Sequence, residues 1–312
     1  MDLTPRELVE IGLDALEADP AAGGGPGPDG LGRLLAAARA TGRPTRHPAW
    51  AATARAGLTP LASFTRTGAD FGDLLGELSA EEWATELPIP GGTPRDLVRH
   101  LVGIERYLLG QLGRAEPIDA PLREDHYPVS RVLTADLELA SPDELARTWW
   151  RAALAVISAA AELGPDHPAT FHHLPGSLQG LLIVRTFELW THADDIRRGT
   201  GRPLSGLDEG RLGLMSSQLM RVLPMGMAYS GTARPGRTAR IVLTGPGAGE
   251  FDLALAPGET PGVPDIVVTA TTLELCRVAA NRLPFADLEA DIAGDRTLLE
   301  PILVGATAFA AD

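Results

Sequence analysis

Four ionisable side chains share one side of an otherwise apolar stretch, LQGLLIVRTFELWTHADDIRR, at residues 178–198. Arg185, Glu188, His192 and Asp195 follow one another at steps of three, four and three, so an α-helix places them on one face. The other directions are mostly apolar, which indicates a helix packed on several sides with this polar line turned into an interior or cleft. A buried Glu beside a buried His is costly unless partners or a metal ion satisfy both groups.

The polar line contains two of three predicted metal ligands. Glu188 and His192 are four residues apart and can reach one ion from a single helix, while His100 lies on the apolar stripe of a second predicted helix. Two imidazoles and one carboxylate leave open positions on a zinc-like divalent ion, as in a catalytic site. The alternative is a buried His–Glu hydrogen-bond network without metal.

The remaining two residues of the line flank the predicted ligands. We assign Arg185 and Asp195 to the cofactor-binding site, as groups that orient the metal ligands. A plain buried ion pair is the alternative for both.

Long helices must position these residues. Proline-led capping patterns such as Thr93-Pro94-Arg95-Asp96 precede apolar periodic stretches, and predict helices over about 58–78, 94–111, 142–163 and 178–198. The last helix is predicted to be capped by Ser177. Four such helices joined by long crossovers form a four-helix bundle.

The chain divides into three predicted regions. Residues 1–57 form an N-terminal extension with a Gly/Pro-rich linker, residues 58–223 the helical bundle with one further helix, and residues 224–312 a small α+β domain. Short β-branched runs and two short helices follow an irregular connection at 224–238. The predicted fold class is therefore α+β.

Composition limits the possible partners. Lys and Arg number 27 against 41 Asp and Glu, and the resulting net charge of −14 repels nucleic acids and anionic membranes. No apolar run reaches the roughly 20 residues of a membrane span. Cys276 is the only cysteine, and the N-terminus lacks a basic-then-apolar signal. We expect a cytoplasmic monomer or homodimer.

Three ordered segments carry a resemblance to a known family: GGTPRDLVRHLVGIE, then FELWTHADDIRRGTGRP, then a tail with NRLP and IAGDRTLLE. Together they resemble the actinobacterial mycothiol-dependent maleylpyruvate isomerases, which belong to the DinB-like bundle superfamily. The resemblance covers roughly residues 58–310.

The resemblance implies a fold and a set of site residues. It implies a DinB-like four-helix bundle followed by a small α+β C-terminal domain, with a divalent metal, zinc, on His100, Glu188 and His192. Mycothiol would be the thiol cosubstrate. The family's C-terminal domain is thought to supply a catalytic arginine, for which Arg282 is the first candidate and Arg296 the second.

One departure from the family concerns the substrate. The family usually has Cys-Pro-Gly-Trp-Thr before the second helix, whereas this chain has Ile-Pro-Gly-Gly-Thr at 89–93. This favours an S-transferase over an isomerase, each acting on an electrophilic small molecule. The other hypotheses are a thiol-independent hydrolase or cyclase that uses the same metal, and a non-catalytic binding module.

Overall fold

The computed structural model describes residues 58–89, 92–115, 132–171, 174–308 and 310. The predicted N-terminal extension, 1–57, lies outside the described residues, as do Pro90 and Gly91 of the loop before the second helix. The described chain divides into two compact units after Ser205.

The first unit is built on four long helices. They are α1 Pro60–Glu77, α2 Pro94–Gln111, α3 Pro142–Leu163 and α4 Leu178–Gly199. Helix α1 packs on α3 and α4, and α3 packs on α2. Side chains of α2 and α4 meet directly, as described below, so the predicted four-helix bundle is confirmed.

Side-chain caps determine where the first three helices begin. The Thr59 hydroxyl accepts from the Ala62 N–H at 3.1 Å, Thr93 and Asp96 form a reciprocal capping box, and Ser141 accepts from the Glu144 N–H at 3.3 Å. A proline follows each cap residue. Helix α4 begins without a side-chain hydrogen bond from Ser177, which differs from the predicted cap.

Aromatic side chains fill the interior of the bundle. Phe64, Phe71, Trp149 and Trp150 are almost completely buried, and the Phe71 and Trp149 rings meet edge to face with centroids 4.8 Å apart. This rigid core fixes the helix axes that carry the polar residues.

A short antiparallel hairpin precedes α4 and was not predicted. Its strands are β1 Pro168–Phe171 and β2 Leu174–Ser177. A proline in each strand argues against strand structure from sequence, because proline cannot donate a ladder hydrogen bond.

The second unit combines three helices with a four-stranded sheet, which confirms the α+β class. The helices are α5 Glu209–Tyr229, α6 Thr272–Ala279 and α7 Leu299–Ala306. The strands are β3 Thr238–Thr244, β4 Gly249–Ala254, β5 Ile266–Thr271 and β6 Ala290–Gly294. Their order is β4-β3-β5-β6, with β3 and β5 parallel and the other pairs antiparallel.

Helix α5 extends across the predicted domain boundary into the connection predicted to be irregular. It continues through Pro224 to Tyr229 and packs on α6, α7 and β4, so the predicted domain boundary at residue 223 lies inside a helix of the second unit. An internal proline costs a helix about 3 kcal/mol. Burial of Leu223 and Met227 on either side of Pro224 offsets that cost.

No helix within the described ranges is both long and apolar enough to cross a membrane.

Two glycines allow α5 and α7 to cross closely. A Cβ added at Gly226 would lie 2.3 Å from the carbonyl oxygen of Gly305, far inside van der Waals contact. We therefore expect Gly226→Ala to lower the free energy of unfolding by about 1–3 kcal/mol, measured by chemical denaturation.

Gly213, on the same helix, is the matched control. Its added Cβ would meet its nearest neighbour at 3.8 Å, an ordinary contact. Gly213→Ala should leave stability unchanged or raise it by up to about 1 kcal/mol. Equal effects of the two substitutions would contradict the close crossing.

Candidate metal centre

The three predicted ligands converge in the first unit. His100 on α2 and Glu188 and His192 on α4 each offer one donor atom, and these atoms all lie within 4.8 Å of one another. His100 Nε2 lies 3.7 Å from Glu188 Oε1. Donors that each lie about 2.0–2.2 Å from one zinc ion are separated by roughly 3.3–4.2 Å. The donor set and spacing therefore fit a divalent ion with small adjustments.

The candidate centre is mostly buried but remains partly accessible to solvent. The exposed fraction of the side chain is 5% for His100 and 3% for His192, but 20% for Glu188. The two imidazole rings are nearly perpendicular, with an interplanar angle of 86° and centroids 6.3 Å apart. The accessible side of Glu188 is therefore the direction from which a small molecule can approach.

Asp195 orients one of the imidazoles. Its Oδ2 lies 3.1 Å from His192 Nδ1, and its carboxylate is fully buried. A hydrogen bond from Nδ1 to a carboxylate leaves Nε2 as the nitrogen available to a metal. The structure thus brings Asp195 into the candidate site beside the ligand it was predicted to orient.

Arg185 connects the two ligand helices. Its Nη1 donates to Glu188 Oε2, and its Nη2 donates to Glu105 Oε1 at 2.6 Å. The guanidinium is 1% exposed, so the ion pairs form in the bundle interior. Arg185 therefore forms a hydrogen bond with Oε2 of Glu188, while Oε1 lies beside His100.

Glu105 belongs to this centre, although it was not among the predicted site residues. It is fully buried on α2 and supplies the second carboxylate to Arg185. Leu101, Glu105 and Leu108 are spaced by four and three residues, which puts Glu105 on a buried face. A charged residue within an apolar stripe was the signal available in the sequence.

Burial and charge act in opposite directions on these carboxyl groups. Burial raises the pKa of Glu105, although Arg185 partly offsets that effect. Burial would also raise the pKa of Glu188, but Arg185 and the two histidines together hold it well below its usual range. Burial disfavours the charged form of Arg185, yet the two carboxylates raise its pKa above the ordinary value.

One guanidinium between two carboxylates leaves one negative charge when both acids are ionised. A buried net charge is costly. A divalent cation bound to Glu188 would offset this negative charge, which supports the metal interpretation over a plain hydrogen-bond network.

The two predicted catalytic arginines belong to the second unit. Arg282 follows α6 and Asn281, whose φ is +57°, and its Nη1 donates to the Ala280 carbonyl at 3.1 Å. Arg296 is exposed and donates to the Ile292 carbonyl at 3.4 Å. Their catalytic role stays a prediction.

The sequence of the bundle matches a known family. Residues 64–197 match the family model for the mycothiol maleylpyruvate isomerase N-terminal domain. This segment extends from α1 into α4 and contains all three candidate ligands.

Comparisons with whole proteins give weaker similarity. One solved structure, of the mycothiol-dependent maleylpyruvate isomerase, is 18% identical, with a TM-score of 0.49 and coverage of 74% of this chain and 91% of that chain. A point mutant of that enzyme is 17% identical with the same TM-score and coverage. No curated protein matches this chain. The family match over the bundle is the stronger finding: residues 64–197 are similar to the mycothiol maleylpyruvate isomerase N-terminal domain.

Proposed function

We propose that this chain is a metal- and mycothiol-dependent enzyme that activates a thiol as thiolate for addition to an electrophilic small molecule. The observation that carries this proposal is the convergence of His100, Glu188 and His192 inside a domain of this family. The reaction is of the S-transferase or maleylpyruvate-isomerase type.

The donor set favours zinc. Two imidazole nitrogens and one carboxylate oxygen suit this ion and leave at least one position for an exogenous ligand. When bound, zinc would lower the pKa of a coordinated thiol, so that the thiol is deprotonated near neutral pH.

The chain's own residues would bind the metal ion and orient its ligands. His100, Glu188 and His192 would bind the ion, Asp195 would keep His192 in the correct tautomer, and Arg185 would restrict Glu188 to one oxygen. Arg282, and Arg296 as the second candidate, would bind the electrophile, because a guanidinium pairs well with carboxylates.

The protein's own thiol is unsuited to this role. Cys276 is completely buried in the second unit, and burial raises the pKa of its thiol to about 12. The nucleophile would therefore come from the cosubstrate.

Isomerisation and S-transfer would both begin with addition of the thiolate to the electrophile. Addition of the thiolate forms a C–S bond and converts an activated double bond into a single bond, which can rotate. Elimination of the thiolate then re-forms the double bond with inverted geometry, whereas retention of the C–S bond and protonation of the adjacent carbon give net transfer. The Ile-Pro-Gly-Gly-Thr loop, which departs from the family pattern, makes us favour transfer.

We expect a cytoplasmic monomer or homodimer with small-molecule partners. The net charge of −14 disfavours nucleic acids and anionic membranes as partners.

His192→Ala tests the ligand assignment. Removal of one of three protein donors should lose bound metal and catalytic activity together, because the remaining two ligands hold the ion weakly. Metal content measured by mass spectrometry should fall from about one ion per chain to nearly none.

His167→Ala is the matched control, since His167 is a half-buried histidine of the same unit outside the cluster. It should retain both metal and activity. If His192→Ala keeps its metal and activity, the assignment of this site is wrong.

Mycothiol titration distinguishes the three functional hypotheses. Binding measured by calorimetry should occur with the zinc-loaded protein and disappear after chelation. A loaded site that is indifferent to mycothiol would instead support a thiol-independent hydrolase or cyclase. A purified protein that takes up no metal would support a binding module.

Asp195→Ala tests the orientation of His192. Loss of the carboxylate that fixes the imidazole should weaken metal affinity by about 10–100-fold, measured by competition with a chelating indicator.

Asp194→Ala removes the neighbouring carboxylate, which is equally buried but accepts hydrogen bonds from Ser205 rather than facing His192 Nδ1. It should leave metal affinity unchanged. Similar losses in both variants would show that Asp195 has no specific role.

Cys276→Ala tests the external origin of the thiol. The variant should retain activity and mycothiol binding, because the buried thiol takes no part in catalysis. Loss of activity in a folded variant, verified by circular dichroism, would contradict the proposal.

A further inference from the structure

The two oxygens of Glu188 have different surroundings. Oε2 accepts a hydrogen bond from Arg185, and Oε1 lies 3.7 Å from His100 Nε2. Glu188 can therefore offer only Oε1 to an ion while Arg185 stays in place. One carboxylate oxygen instead of two leaves an additional coordination position for an exogenous ligand.

Arg185 creates an electrostatic problem for a metal site. A guanidinium that is hydrogen-bonded to a ligand carboxylate neutralises the charge of that carboxylate and repels a nearby cation. The repulsion is strong where water is excluded. Arg185 is 1% exposed. A compensating negative charge is needed if Glu188 is to remain a good ligand.

Glu105 supplies that charge from the other ligand helix. Its Oε1 accepts from Arg185 Nη2 at 2.6 Å, and the side chain is fully buried. It thus gives Arg185 a second carboxylate partner besides Glu188.

A second observation argues against a purely structural role. Glu105 Oε2 is buried and makes no hydrogen bond within the described part of the chain. A buried carboxylate oxygen without a donor destabilises the fold. Apolar residues in place of both Glu105 and Arg185 would avoid that cost, so the buried ion pair has a role other than stability.

We propose that Glu105 is a positioning residue that acts on the metal through Arg185. It neutralises the guanidinium, so that Arg185 can restrict Glu188 to one oxygen without weakening it as a ligand. This inference rests on the proposed function, since it assumes that the centre binds a divalent ion.

Glu105→Gln tests the charge alone. Glutamine keeps the size of the side chain and a carbonyl that accepts from Arg185, but it leaves the guanidinium uncompensated. The affinity for Co²⁺, measured by competition with a chelating indicator, should fall by about 10–100-fold. Wild-type affinity in this variant would overturn the inference.

The double variant E105M/R185M tests whether Glu105 acts through Arg185. It removes both buried charges together, a replacement that folded proteins often tolerate. Co²⁺ affinity should recover to within about tenfold of wild type and exceed that of E105Q, because the net charge beside Glu188 is restored although the hydrogen bond from Arg185 is lost. A double variant as weak as E105Q would overturn the inference, and this variant also carries the test if E105Q does not fold.

Asp208→Asn is the matched control. Asp208 and Arg211 form a buried carboxylate–guanidinium pair at 2.7 Å in the second unit. The substitution should lower stability without changing Co²⁺ affinity, whereas a loss equal to that of E105Q would overturn the inference.

The outcomes also separate this inference from the proposed function. Unchanged Co²⁺ affinity in E105Q, with one ion per wild-type chain and mycothiol binding intact, would overturn the role of Glu105 alone. A wild-type chain that binds no Co²⁺ would overturn both.

Discussion

The candidate centre depends on one buried guanidinium. Arg185 bridges Glu105 on α2 and Glu188 on α4, deep in the bundle. Removing one partner from such a pair leaves an unpaired buried charge, which typically costs about 3–5 kcal/mol. The bridge therefore fixes the relative position of the two helices that carry the ligands.

The bundle supplies what this bridge needs. Trp149 and Trp150 are buried in the bundle, where close packing fixes the helix axes and the low polarity of the interior strengthens ion pairs. The same low-polarity interior makes the remaining negative charge costly, so a divalent cation would stabilise the folded protein as well as supply chemistry. Structural stability and the proposed reaction thus rely on the same charges.

The cluster of candidate ligands was predictable from sequence because helical geometry is regular. Steps of three and four residues place Glu188, His192 and Asp195 on one face, whatever the rest of the fold, and His100 was recognisable as a polar residue on an apolar stripe. The bundle and the α+β tail were predictable for the same reason, from caps and from apolar periodicity.

Features that depend on tertiary contacts were not predictable. The pairing of Glu105 with Arg185 requires knowing how α2 meets α4, since the residues are 80 positions apart. Proline residues concealed both the β1–β2 hairpin and the continuation of α5 through Pro224, because local rules disfavour each. Packing against neighbouring elements overrides those rules.

X-ray absorption spectroscopy of the zinc-loaded protein, with and without mycothiol, tests the central claim most directly. We predict a shell of nitrogen and oxygen donors at about 2.0–2.2 Å in the free protein, and one sulfur at about 2.3 Å after mycothiol is added. A zinc shell that gains no sulfur at saturating mycothiol would contradict the account.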